Sequence, residues 1–140
     1  MAEKKYTQSV TSTGGGRDGR ITGDGQMNMD LRPLDAKEDG TNPEALLAAA
    51  WAACFNGALQ KTMKEEGVDV DAHTPSVTAH VSFYTLDDGG LQLGAVLEAS
   101  FENQSGIDDI EGLLRKTHDF CPVSKAYRGD LVELKVAPAA

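Results

Sequence analysis

Only two cysteines occur in this chain of 140 residues, too few for a disulfide-built scaffold. In a reducing compartment a lasting structural bridge is not expected either, so if these residues matter they matter as thiols. Basic residues are also scarce. Thirteen Lys and Arg stand against twenty-two Asp and Glu, and a net charge of -9 argues against a surface that neutralises many phosphates. Nucleic acid and anionic membrane are therefore not expected as partners. The longest apolar run, Ala45 to Phe55, is eleven residues, against the roughly 20 that a membrane-spanning helix needs. The opening MAEKKYTQS lacks the apolar stretch and small-residue cleavage site of a secretory signal, which makes a cytoplasmic location the expectation. Also missing are internal repeats, low-complexity tracts, a nucleophile elbow, a Ser-His-Asp order, and the GK[ST] ending that would turn the Gly14 to Gly16 run into a phosphate loop.

What is present is an ordinary globular composition, 40% hydrophobic and 25% charged, in a length that suits one compact domain, residues 1 to 140. Up to Leu34 the chain is polar and punctuated by Gly14-Gly15-Gly16, Asp18-Gly19 and Asp24-Gly25. The pieces between these turns fit a meander of two or three short strands, the last with Met27, Met29 and Leu31 on one face. Asn42-Pro43-Glu44 then supplies an N-cap, a proline for the first helical position and an acid for the first turn. The helix it opens runs to Gly67. Its first half is small and apolar on every side, which predicts burial all round.

Two alternating segments follow. Val77, Ala79, Val81 and Phe83 form one face of the first, and Leu91, Leu93, Ala95, Leu97, Ala99 and Phe101 one face of the second. Joined by Asp88-Gly89-Gly90, they read as an antiparallel hairpin. A second helix is predicted from Ile107 to about Asp119, one helical turn after Cys121-Pro122, and a last strand from Leu131 to Val136 ahead of a frayed APAA tail. This order predicts an α+β domain with helices packed on mainly antiparallel sheet.

Cys54 sits in the middle of the all-apolar helix. The plain reading is a small buried hydrophobe. Burial raises a thiol pKa, so a reactive Cys54 needs a cation brought from outside its own helix. Cys121 precedes a proline that can open a helical turn, whose amides would favour a thiolate, although an inconsequential loop cysteine fits the spacing equally well. Arg17, in GGGRDGR, has glycines around it that permit a tight turn and an inward guanidinium, although most such arginines face water. Glu44 by itself is a helix-dipole acid, and Trp51 a core residue or the wall of an apolar pocket. His73, His80 and His118 are scattered, and His118 with Cys121 lacks the further ligands that zinc requires, so no metal is expected.

Taken together, GGRDGR at 15 to 20, GTNPEALLAAAWAACF at 40 to 55 and FCPVSKAYRGD at 120 to 130 resemble the organic hydroperoxide resistance branch of the Ohr/OsmC superfamily. The three motifs occur in order along nearly the whole chain. That resemblance implies antiparallel sheets wrapped around a long buried central helix in an intertwined homodimer. It further implies a thiol peroxidase that reduces organic hydroperoxides to alcohols, with Cys54 as peroxidatic cysteine, Cys121 as resolving cysteine, Arg17 facing the reactive sulfur and Glu44 holding Arg17. No bound cofactor is implied; the external reductant would be a dihydrolipoyl-type dithiol on a lipoylated protein. Two other readings stay open, an OsmC-type peroxidase of broader peroxide use and a non-catalytic carrier of apolar ligands with both cysteines silent.

Glu44 and Cys54 lie ten residues apart on one predicted helix, about 15 Å along its axis. If Glu44 steadies an arginine that touches Cys54, this spacing points to the Glu44 of a second subunit. The alternatives are that Arg17 bridges the distance within one chain, or that the helix breaks near Ala48.

Overall fold

The structure is a computed structural model and describes residues 2 to 127. The described chain divides into two compact units, one up to Leu47 and one from Ala48 onward. In the first, strands β1 (Val10–Gly15), β2 (Asp18–Gly23) and β3 (Asn28–Asp30) form an antiparallel meander in the order β1-β2-β3. Register pairs Gly15 with Asp18, which leaves Gly16 and Arg17 as the two turn residues. Gly16 has φ of +69°, and a Cβ on Gly19 would collide with the carbonyl of Thr13, so these positions require glycine. Met27 and Met29 are half-buried and Leu31 is buried, between exposed Asn28 and Asp30, as the alternation predicts. Arg32 ties this unit together by donating to the carbonyls of Leu31 at 2.7 Å and Gly19 at 3.2 Å.

Helix α1 (Pro43–Glu65) starts where the cap signals place it, with the Asn42 side chain accepting from the amide of Ala45 at 2.8 Å. It runs unbroken past Ala48 and ends against Gly67, whose φ is +76°. One expectation fails within a single chain. Trp51, Phe55, Ala58, Leu59, Thr62 and Met63 are buried, but Ala45, Ala49, Ala50, Ala53 and Gly57 are exposed. The helix thus buries one face and leaves a stripe of small residues uncovered. A side chain of one carbon removes little apolar area from water, so small residues tolerate that exposure where Leu or Phe would not.

In the second unit, a short helix α2 (Val70–His73) escaped the sequence reading, because four residues carry no period. Its cap is local: the Asp69 side chain accepts from the amide of Asp71 at 3.0 Å. The expected hairpin is β4 (Pro75–Thr85) and β5 (Leu91–Phe101), antiparallel, with Val77 opposite Ala99 and Ala79 opposite Leu97. The polar face carries Ser76 beside Ser100 and His80 beside Glu98. Helix α3 (Ile110–Phe120) begins three residues later than expected, because Asp109 caps it by accepting from the amide of Gly112 at 2.9 Å. Helix α4 (Pro122–Tyr127) is the turn predicted after Cys121. The core gathers Leu59, Met63 and Leu113, with Val68, Val77, Phe101, Ile107 and Leu114 packed against them. The strand expected from Leu131 to Val136 and the APAA tail lie outside the described residues.

Among the described residues no helix is long and apolar enough to cross a membrane.

Candidate active site

Two constellations contain all four candidate residues. The first joins the β1–β2 turn to the opening of α1. Arg17 Nη2 donates to Glu44 Oε1 at 2.6 Å and Oε2 at 2.8 Å. The Glu44 side chain is 14% exposed and that of Arg17 58%, so the half-buried carboxylate is the anchor and the guanidinium is the group that meets more solvent. A pair this exposed contributes about 0–1 kcal/mol to stability, which leaves positioning as its physical consequence.

Within one chain Glu44 reaches Arg17, so the pair itself needs no second subunit, whereas the expectation of a site shared between subunits concerns where that arginine meets Cys54. The spacing argument assumed that the carboxylate had to meet the arginine at the level of Cys54. Instead the arginine, carried on a turn outside the helix, has its guanidinium at the first helical turn.

The second constellation is built around the two sulfurs. Cys54 is on α1, one turn beyond Trp51, and Cys121 occupies the corner between α3 and α4. Although 67 positions apart in sequence, their side chains are hydrogen-bonded, and both are free thiols, Cys54 half-buried and Cys121 fully buried. Burial pushes the Cys54 thiol up from its ordinary value. A hydrogen bond from the backbone amide of Val123 pulls it down, and the neighbouring Cys121 pushes it up again. None of these influences is a cation, so within its own unit Cys54 is held toward the neutral thiol. The amide at the start of α4 thus serves Cys54, whereas the sequence had assigned the opening of that turn to Cys121.

Around the sulfurs lies a polar network that the sequence reading missed. Trp51 Nε1 donates to Ser124 Oγ at 3.0 Å, and Ser124 Oγ is also bonded to His118 Nδ1 at 3.0 Å. The Trp51 ring leans on Tyr127, with centroids 5.0 Å apart, and the Tyr127 hydroxyl donates to the carbonyl of Leu93. The available signal was Trp51 itself, since a buried indole N–H needs an acceptor. A cavity of about 500 Å³ lies alongside, lined by Phe55, Leu97 and Leu114 together with the polar Glu111, Arg115 and His118. Neither sulfur nor Trp51 lines it. Among the described residues no group of three His, Cys, Asp or Glu side chains is gathered to hold a metal, and His73 and His80 lie apart, bonded to the Asn103 carbonyl and to Glu98.

Comparison with known proteins agrees with this plan. The family model described as OsmC-like protein matches residues 36–135. The organic hydroperoxide resistance protein OhrB of Bacillus subtilis (strain 168) is 38% identical over 138 residues, covering 93% of this chain and 98% of that protein. Its OhrA counterpart from the same organism is 39% identical over 145 residues, covering 98% and 99%. The crystal structure of Bacillus subtilis OhrB superimposes with a TM-score of 0.78 at 36% identity, covering 89% of this chain and 93% of that one. On the family model and these identities, the chain belongs to the OsmC-like family, in the organic hydroperoxide resistance branch.

Proposed function

We propose that this chain reduces organic hydroperoxides to alcohols with its own thiols, in defence against oxidative stress, a reading supported by relatives named for organic hydroperoxide resistance. The observation that carries the reading is the pairing of Cys54 with Cys121 across 67 positions, both sulfurs reduced and within hydrogen-bonding reach. A purely structural pair of cysteines would have no need of that contact.

The chemistry proceeds in three balanced steps. The Cys54 thiolate attacks the distal oxygen of the hydroperoxide, the O–O bond breaks, and the alkoxide takes a proton and leaves as alcohol. Cys54 is then a sulfenic acid. Cys121 attacks that sulfur, the S–O bond breaks, and hydroxide leaves as water with the proton of the Cys121 thiol. An external dihydrolipoyl-type dithiol, carried on a lipoylated protein, reopens the disulfide by exchange and is itself oxidised. No bound cofactor takes part.

Arg17 is the cation we assign to the first step. Its support is indirect: Cys54 has no positive charge among the groups that set its pKa, and Glu44 holds an exposed guanidinium ready to supply one. Hydrogen bonds from that guanidinium to the peroxide oxygens would strengthen as charge develops there. The preference for organic over hydrogen peroxide follows from the apolar side chains that precede and follow Cys54 in sequence, which suit an apolar tail better than a small hydrated molecule. The functional unit is one domain in a homodimer. The uncovered stripe of Ala49, Ala53 and Gly57 along α1 supports the dimer, because small residues let a second helix approach closely.

Non-catalytic binding of an apolar ligand is favoured by one observation, the upward push on the Cys54 thiol by burial. The deciding experiment is consumption of tert-butyl hydroperoxide with dihydrolipoamide as reductant. Turnover by wild type and none by Cys54→Ser is the expected result, and silence of both would select the binding reading.

A further inference from the structure

We infer that Ser124 and Trp51 are positioning residues for disulfide closure, forming a rung that holds the α3–α4 corner against α1 while Cys54 is being oxidised. The inference rests on the peroxidase reading above.

Trp51 precedes Cys54 by three residues on α1, and Ser124 follows Cys121 by three residues. The two backbone stretches that carry the sulfurs are therefore joined twice, once by the thiols and once by the indole–hydroxyl bond about one helical turn away. The indole–hydroxyl bond of the second rung is inside the molecule, Trp51 being 3% exposed and Ser124 1%, while His118 is exposed and its bond to Ser124 partly buried. Indole N–H can only donate, so Ser124 Oγ accepts from Trp51, and the same oxygen is bonded to His118 Nδ1.

The second rung matters because a disulfide tolerates little misplacement, with Cα atoms usually 4.4–6.8 Å apart and a narrow dihedral range. In the reduced protein the thiol contact helps keep the corner in place. Once Cys54 carries a hydroxyl, that contact is replaced by one between Cys121 and a bulkier group. The Trp51–Ser124–His118 bonds involve neither sulfur and persist through the change. Cys121 then forms its bond to Cys54 sulfur, the S–O bond breaks, and water departs. Without the rung's hydrogen bond, α4 keeps Tyr127 on the Trp51 ring and on the Leu93 carbonyl, both at its far end from Cys121, and the Val123 amide on the very sulfur that changes. Closure would slow and the sulfenic acid would stand longer in excess peroxide.

The test compares Ser124→Thr, which keeps the hydroxyl, with Ser124→Val, which has the same shape without it. Full-length reduced protein is mixed with tert-butyl hydroperoxide, and first oxidation, disulfide formation and over-oxidised Cys54 are followed by quench and mass spectrometry. Loss of one net hydrogen bond predicts that closure, relative to first oxidation, is about tenfold slower in the Val than in the Thr variant, with more over-oxidised product. Equal closure in the two variants overturns the inference, since volume alone would then account for any change. Should neither Ser124 variant fold, Trp51→Phe removes the same donor while keeping a ring, and closure at the wild-type rate overturns the inference as well. Failure of the peroxidase reading looks different. Wild type itself would then form no Cys54–Cys121 disulfide, and the inference would fall with the reading.

Discussion

Closing the Cys54–Cys121 disulfide should make the protein markedly harder to unfold, and the size of the effect can be worked from the fold. The bridge encloses a loop of 67 positions. In the chain-entropy treatment a closure of that length removes about 4 kcal/mol of unfolded-state entropy at 25 °C. Native-state strain would subtract from this, but the two side chains are already hydrogen-bonded in the reduced protein, so little rearrangement is needed to join them. For a chain of 140 residues the gain corresponds to a rise of about 10–15 °C in Tm. The perturbation is one equivalent of tert-butyl hydroperoxide per chain. The assay is thermal or guanidinium unfolding of reduced and oxidised samples at one fixed protein concentration, because the stability of a chain that self-associates depends on concentration. The gain should vanish after reduction with dihydrolipoamide and should not appear in Cys121→Ser. An oxidised wild type no more stable than the reduced protein would show that closure strains the native state, contrary to the contact seen between the sulfurs.

In a Cys121→Ser background, Arg17→Ala should move the pH curve of Cys54 alkylation upward, since burial then acts without the opposing cation, and labelling at neutral pH should fall about tenfold for each unit of displacement; an unmoved curve would remove Arg17 from the mechanism. Met63→Ala should cost about 2–5 kcal/mol by opening a void beside Leu59 and Leu113, measured by urea unfolding. Asn42→Ala should cost about 1 kcal/mol in the same assay through loss of the acceptor for the Ala45 amide. Heterodimers of Glu44→Ala/Arg17→Ala chains with Cys54→Ser chains should stay inactive if each site draws its arginine and its thiol from one chain, and should regain activity if the site is shared; the peroxide assay on purified heterodimers decides.

Much of the fold was legible because local chemistry and burial agree. Asn42-Pro43 sets the start of α1 and Gly67 its end, each by a backbone requirement confined to a few residues. The β4–β5 hairpin follows from alternation and one glycine turn. Where the reading slipped, the deciding contact was short or distant. Asp109 rather than Ile107 sets the start of α3, because a capping carboxylate outweighs an apolar residue that can pack equally well from the preceding loop. Burial of α1 on every side is not reached within one chain, since apolar composition reports what a helix can tolerate and not which surface covers it.

The site divides along the same line. Arg17 and Glu44 were nominated from motifs, yet their union depends on the reach of a turn residue to a helix start, which spacing along the helix could not reveal. The thiols show the point more sharply. Nothing local to Cys54 distinguishes it from any buried cysteine, and the groups that set its chemistry, Cys121 and the Val123 amide, arrive from the other side of the hairpin in sequence. Ser124 was passed over for the same reason: its hydroxyl acquires meaning only beside an indole 73 residues earlier. A long-range contact of this kind also explains why a six-residue helix is preserved at the corner. Too short to be stable by itself, α4 is held by Trp51, Cys54 and Leu93, and those attachments are what keep Cys121 within reach of the sulfur it would resolve.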